Sequence, residues 1–291
     1  MSPDAFVFHV DDAPLVGLLH PGMPEARTGV LIIVGGPQYR VGSHRQFLLL
    51  ARDLSAQGIP VMRFDYRGMG DSGGQARDFQ HVDEDIKAAL DAFQSRCPAL
   101  ERIVLWGLCD AASAALLYAW RDTRVSGLVL LNPWVRTEEG LARAYMKQYY
   151  LKRLASPAFW KSLLSGGVRL GASLRGFVDM LRRAWPGPAK AKPAQTAEVD
   201  QTQDRGLPKG PLPERMAQGW KRFQGPILLI LSGDDLTAAE FRDCAAQTPS
   251  WRGLLQQDRV TVEELPEANH TFSRRAWRDR VSELTCHWLS T

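Results

Sequence analysis

The chain has 291 residues, of which 45% are hydrophobic, and 36 Lys and Arg against 32 Asp and Glu give it a net charge of +4. That length and apolar content suit one sizeable core carrying an insertion, and with no run of about 18 apolar residues a membrane span is not expected. Met1–Pro14 lacks the basic, apolar and small-residue succession of a secretory leader. The four cysteines, at 97, 109, 244 and 286, show no C-x-x-C or metal-ligand spacing, so a reduced, cytoplasmic chain without metal or cofactor is expected.

The first continuous apolar run, Gly29–Val34, reads as a strand buried on both faces, and it ends in Gly35-Gly36-Pro37-Gln38. Glycines at a strand end let backbone amides approach a reacting carbonyl. Pro37 has no N–H, so Gly36 or Gln38 is the candidate donor, although the stretch by itself also fits a plain turn. Close behind come Arg40, His44 and Arg45, which could hold an anionic substrate group or simply belong to a solvated loop.

A second strand over Pro60–Phe64 leads into a turn that carries two misleading patterns. Gly68-Met69-Gly70-Asp71-Ser72-Gly73 matches a dinucleotide fingerprint, but another apolar strand precedes it, whereas the fingerprint belongs after the first. Gly70-Asp71-Ser72-Gly73-Gly74 matches G-x-S-x-G, yet Ser72 sits inside a turn and not at a strand-to-helix elbow. After a helix-like stretch, Phe79–Phe93, the run Ile103–Leu108 reads as a strand, Cys109 as its tip, and Asp110–Ser113 as the start of an Ala-rich helix. This is the form of a nucleophile elbow. A thiol there faces a helix N-terminus that stabilises thiolate, and the amide of Asp110 could bind an oxyanion. Taken alone, Cys109 would read as a small buried hydrophobe.

Beyond the strand Gly127–Leu131, residues 136–222 hold 17 Lys and Arg against 7 Asp and Glu, a balance of +10, which leaves −6 for the rest. The expected layout is a core of residues 1–135 and 223–291 with a basic insertion at 136–222. In its first part, Pro157–Trp185, apolar residues such as Trp160, Leu164 and Phe177 stand among basic ones. They suit a roof over an acyl pocket or a surface lying on an anionic membrane. Residues 186–213, rich in Pro, Lys, Gln and Gly, are expected to form a mobile loop. No nucleic-acid reader pattern accompanies the charge. The strand Pro226–Leu231 ends in Ser232-Gly233-Asp234-Asp235, and Val260–Leu265 leads to His270, which completes the chain order nucleophile, acid, base. His9, His20, His81 and His287 are expected to serve surface or packing roles.

Four blocks together resemble the exosortase A system-associated hydrolase 1 family of α/β-hydrolases: Val34–Arg45, Trp106–Ser113, Ser232–Thr237 and His270–Ser273. Asp65-Tyr66-Arg67-Gly68-Met69-Gly70-Asp71-Ser72 is similar to a structural turn common in that superfamily. The resemblance implies an α/β-hydrolase fold, a mostly parallel sheet flanked by helices with a helical lid, in a cytoplasmic or peripheral inner-membrane enzyme encoded beside exopolysaccharide genes. It also favours Asp235, before Leu236-Thr237, over Asp234 as the acid. Cys in place of Ser departs from the wider superfamily and is shared with dienelactone hydrolases. The expected chemistry is ester or thioester hydrolysis of a small or lipid-like acyl substrate through Cys109, His270 and Asp235. Acyl transfer is the alternative, and a catalytically silent membrane-associated binding protein is the third reading.

Overall fold

The computed structural model describes residues 2–36, 38–135 and 209–291. The chain divides into two compact units, Met1–Val135 with Gly210–Thr291, and Arg136–Lys209; the first is described here. It is built on one eight-stranded sheet. Strands β1 (Asp4–Val10), β2 (Ala13–His20), β3 (Thr28–Ile33), β4 (Val61–Phe64), β5 (Arg102–Leu108), β6 (Val125–Leu131), β7 (Ile227–Asp234) and β8 (Val260–Asn269) lie in the order β1-β2-β4-β3-β5-β6-β7-β8. Pairing is antiparallel from β1 to β2 and from β2 to β4, and parallel across the remainder.

Helices on both faces explain why β3 and β5–β7 read as continuous apolar runs. Along β3, Val30 and Ile32 enter one core and Leu31 and Ile33 the other, because successive side chains point to opposite faces. One core receives α1 (Gln46–Ala56) and α6 (Arg275–Leu289) through Phe47, Leu50, Val281 and Leu284. The other receives α2 (Asp83–Arg96), α3 (Asp110–Tyr118), α4 (Leu212–Arg222) and Phe241 of α5 (Leu236–Gln247).

The boundary of the insertion differs from the sequence expectation. Helix α4, expected to lie inside 136–222, belongs to the core: Trp220 is fully buried, stands edge-on to Trp251 at 5.4 Å, and Trp251 Nε1 donates to the Pro213 carbonyl at 2.9 Å. Burial on this scale is worth about 3–5 kcal/mol per large aromatic, enough to hold a basic helix against the core despite its exposed Lys221 and Arg222. Trp160 and the rest of the insertion through residue 208 lie outside the described residues. No described helix is long and apolar enough to cross a membrane.

Ser72 has a structural role. Its Oγ accepts from the Val16 amide at 2.9 Å and donates to the Asp65 carbonyl at 2.6 Å, tying the turn to β2. The same turn is pinned by buried Arg67, whose Nη2 lies 2.8 Å from the fully buried Asp85 carboxylate.

Candidate active site

Cys109 stands between β5 and α3 with φ 64° and ψ −123°, a backbone conformation that costs an ordinary residue of order 1–3 kcal/mol and survives only where its surroundings enforce it. The enforcement is visible. The Cys109 amide donates to the Leu131 carbonyl at 2.8 Å, and its own carbonyl accepts from the amides of Trp134 at 3.2 Å and Ser113 at 3.3 Å. Gly107 is required because a Cβ there would come within 2.6 Å of the Ala111 backbone, where α3 passes over the strand. The turn therefore presents the thiol at the C-terminal edge of the sheet, where parallel strands gather ligands.

His270 follows β8, which brings it to the same edge. Its Nδ1–H donates to Asp235 Oδ2 at 2.9 Å, and the Cys109 thiol, at the same edge, acts on the charge of the ring. Burial disfavours the imidazolium, but the Asp235 hydrogen bond and the charges of Asp235 and Cys109 outweigh it, raising His270 from 6.5 to about 10. Asp235 is 7% exposed and caps α5, accepting from the amides of Thr237 at 3.2 Å and Ala238 at 3.0 Å. Burial pushes its carboxyl up, yet the His270 bond and charge together with those two amides hold it below the usual carboxylate range. Asp234, the other carboxylate of the pair, is exposed at the end of β7. Of the three side chains named from the sequence, Asp235 and His270 are hydrogen-bonded to each other, and Cys109 stands at the same sheet edge.

Two other expectations meet a different arrangement. The Gly36 amide is not free for an oxyanion, because it donates to Asp110 Oδ2 at 2.6 Å. Arg40 is not an open anion holder. Its guanidinium is paired with buried Asp65 and lies 2.8 Å from Asp71, which leaves its side chain 12% exposed. His44 and Arg45 are exposed, with left-handed φ of 53° and 62°, and among the described residues no hydrogen bond or ion pair joins them to Cys109, His270 or Asp235. Gln38 is half-buried, and among the described residues its side-chain oxygen has no hydrogen-bond partner. Of the expected structural histidines, His20 is buried against Arg63, and burial followed by the Arg63 charge lowers it to about 4.

Asn132 escaped the sequence reading. It ends β6 fully buried with φ 43°; its Nδ2 donates to Ser232 Oγ at 2.7 Å and to the His270 carbonyl at 3.2 Å, while its Oδ1 accepts from the Ser232 amide at 2.9 Å. Ser232 Oγ in turn donates to the Asn269 carbonyl at 3.0 Å. This buried network ties the ends of three strands to the loop that carries His270. The signal in the sequence was slight: an Asn-Pro pair closing an apolar strand.

Comparison with known proteins agrees with this architecture. A family model described as the alpha/beta hydrolase family matches residues 20–284. The esterase Pf2001 of Pyrococcus furiosus superposes with a TM-score of 0.63 at 15% identity, covering 99% of this chain and 92% of that one. A Coxiella burnetii protein described as an alpha-beta serine hydrolase homologue does so with a TM-score of 0.56 at 17% identity, covering 99% and 98%. Such identities speak for the fold alone. The quorum-quenching protein AidA of Acinetobacter baumannii is 28% identical over 134 residues, which is 44% of this chain and 42% of that relative, less than half of its length.

Proposed function

The chain belongs to the alpha/beta hydrolase family, and we propose that it hydrolyses carboxylic ester or thioester bonds with Cys109 as nucleophile, His270 as base and Asp235 as the group that orients the base. The observation that carries this reading is the hydrogen-bonded Asp235–His270 pair at the sheet edge where a strained elbow presents the Cys109 thiol. His270 takes the thiol proton, and the sulfur attacks the acyl carbon. The carbonyl electron pair moves to oxygen, faced by the Asp110 amide and the loop that holds Gly36 and Gln38. Collapse expels the alcohol or thiol, which leaves with the proton from His270, and water then releases the acid from the thioester. Asp235 fixes the imidazole tautomer and steadies its positive charge.

Cysteine at the elbow favours a second reading, because a thioester intermediate passes its acyl group readily to an alcohol or amine. The resemblance to exosortase-associated hydrolases supports an acyl substrate from exopolysaccharide or lipid metabolism and a place in the cytoplasm or at the inner membrane. The apolar and basic residues around Trp160, Leu164 and Phe177 support a lipid-like acyl chain, with contact to anionic membrane through the insertion.

The test is a series of chromogenic esters and acyl thioesters of graded chain length, with and without alcohol acceptors, on wild type and Cys109→Ala. Turnover that is lost in Cys109→Ala supports the enzyme. No turnover, together with salt-sensitive binding to anionic vesicles, would leave a binding protein instead. In the same series, replacing Trp160, Leu164 and Phe177 by Ser should impair long chains more than acetyl, at about 0.8 kcal/mol per buried methylene.

A further inference from the structure

The proposed chemistry needs backbone N–H groups free to receive an oxyanion, and the inference drawn here rests on that reading. In the structure one side chain already occupies one of the expected donors, the Gly36 amide. Asp110 follows the nucleophile, and its Oδ2 accepts from the Gly36 amide at 2.6 Å while its Oδ1 accepts from the Ala111 amide at 3.0 Å. Of the donors expected of the oxyanion hole, the Gly36 amide is therefore engaged by the Asp110 carboxylate.

The seat is shaped for it. A Cβ on Gly35 would stand 2.0 Å from Asp110 Oδ1 and 2.7 Å from the Ala111 nitrogen, so the glycine loop closes on the carboxylate with no room to spare. An oxyanion formed on a substrate needs the same Gly36 N–H, and two negative oxygens do not share one donor in a partly buried site.

We propose that Asp110 is a specificity-determining residue whose carboxylate plugs the oxyanion hole of the resting enzyme, so that a substrate proceeds only by displacing it. A plug of this kind favours acyl groups bound tightly enough elsewhere in the site to drive the displacement, and it disfavours those bearing negative charge beside the carbonyl. Tyr66 offers a partner for the displaced group. It is 3% exposed, its hydroxyl has no hydrogen-bond partner among the described residues, and of the charges acting on it that of Asp110 is the largest.

An alkyl trifluoromethyl ketone tests this, because its attack by Cys109 stops at the oxyanion stage. The sulfur–carbon bond forms, the carbonyl electron pair moves to oxygen, and the thiol proton passes to His270. Inhibition constants would be measured on wild type, Asp110→Ala and Asp110→Asn, with folding checked by thermal melting. Emptying the seat in Asp110→Ala should tighten the inhibitor at least about tenfold. Asp110→Asn keeps the shape and an acceptor for Gly36, so it secures the test if the alanine variant folds poorly; loss of charge alone should tighten the inhibitor at least about threefold. An unchanged or weaker inhibitor in both variants would overturn the proposal and make the carboxylate a support for the glycine loop. Cys109→Ala separates the two layers: if it binds the ketone as tightly as wild type, the assignment of the nucleophile fails, whatever Asp110 does.

Discussion

Asp235→Asn exchanges one oxygen for nitrogen at a position that carries two duties, and the structure allows them to be separated. As the cap of α5, Asp235 accepts from Thr237 and Ala238. Asn caps about as well as Asp, so the unfolding free energy should change by no more than about 1 kcal/mol. As the partner of His270, the carboxylate accepts the Nδ1 proton at 2.9 Å and is, with Cys109, the reason the imidazole is held at about 10. An amide can turn its own N–H toward Nδ1 and favour the wrong tautomer, and comparable substitutions in hydrolytic triads lower kcat by roughly 10⁴. The assay is kcat and KM on an activated ester or thioester, with melting temperature measured on the same preparation. A fall in kcat of about 10²-fold or more at nearly unchanged stability is expected. Asp234→Asn, at an exposed position, should stay within about threefold of wild type. A variant Asp235→Asn with near-normal kcat, or a larger loss at Asp234, would refute the assignment.

Cys109→Ala and His270→Ala should each lower kcat by roughly 10³-fold or more while the double variant adds little, since the two act as a unit; multiplicative losses in the double variant would contradict this. Asn132→Ala strips partners from the Ser232 amide and the His270 carbonyl, at about 1–3 kcal/mol for each buried group left unpaired. Urea unfolding should show that loss, and kcat should fall more than KM rises; an unchanged kcat would mean that the network does not position His270. His270 is raised in the folded state from 6.5 to about 10, so its folded form holds the proton more tightly and its stabilisation is full below about pH 6.5 and fades as pH climbs through about 10. The unfolding free energy of wild type minus that of His270→Ala should therefore shrink across that window, and a difference that grew with pH would show the sign to be wrong.

The parallel half of the sheet was legible because strands buried on both faces leave unbroken apolar runs. The candidate triad could be named because Cys109 and Asp235 follow such runs and His270 follows the last strand, in the chain order that this kind of sheet imposes. The hairpin of β1 and β2 was less visible. Only alternate residues, such as Phe6, Phe8 and Val10, are buried, and the turn at Asp11, with φ 50°, carries no glycine. Helix α4 was misassigned because its basic residues continue the charge of the insertion, while Met216 and Trp220 on its buried face decide where it packs. The fates of Arg40 and Gly36 depend on partners far along the chain, Asp65 and Asp71 for one and Asp110 for the other. No local pattern announces which polar group tertiary structure has already satisfied. Asn132 was missed for the same reason, since its role exists only once β6, β7 and the His270 loop lie side by side.

The most direct measurement is capture of the acyl-enzyme. Mixing the protein with an activated acyl thioester, quenching in acid within the first turnovers and mapping peptides by mass spectrometry should place one acyl group on Cys109. Cys97, Cys244 and Cys286, whose thiols burial pushes up, should stay unmodified, and Cys109→Ala should carry no adduct. Turnover with no acyl group on Cys109, persisting in Cys109→Ala, would contradict the account.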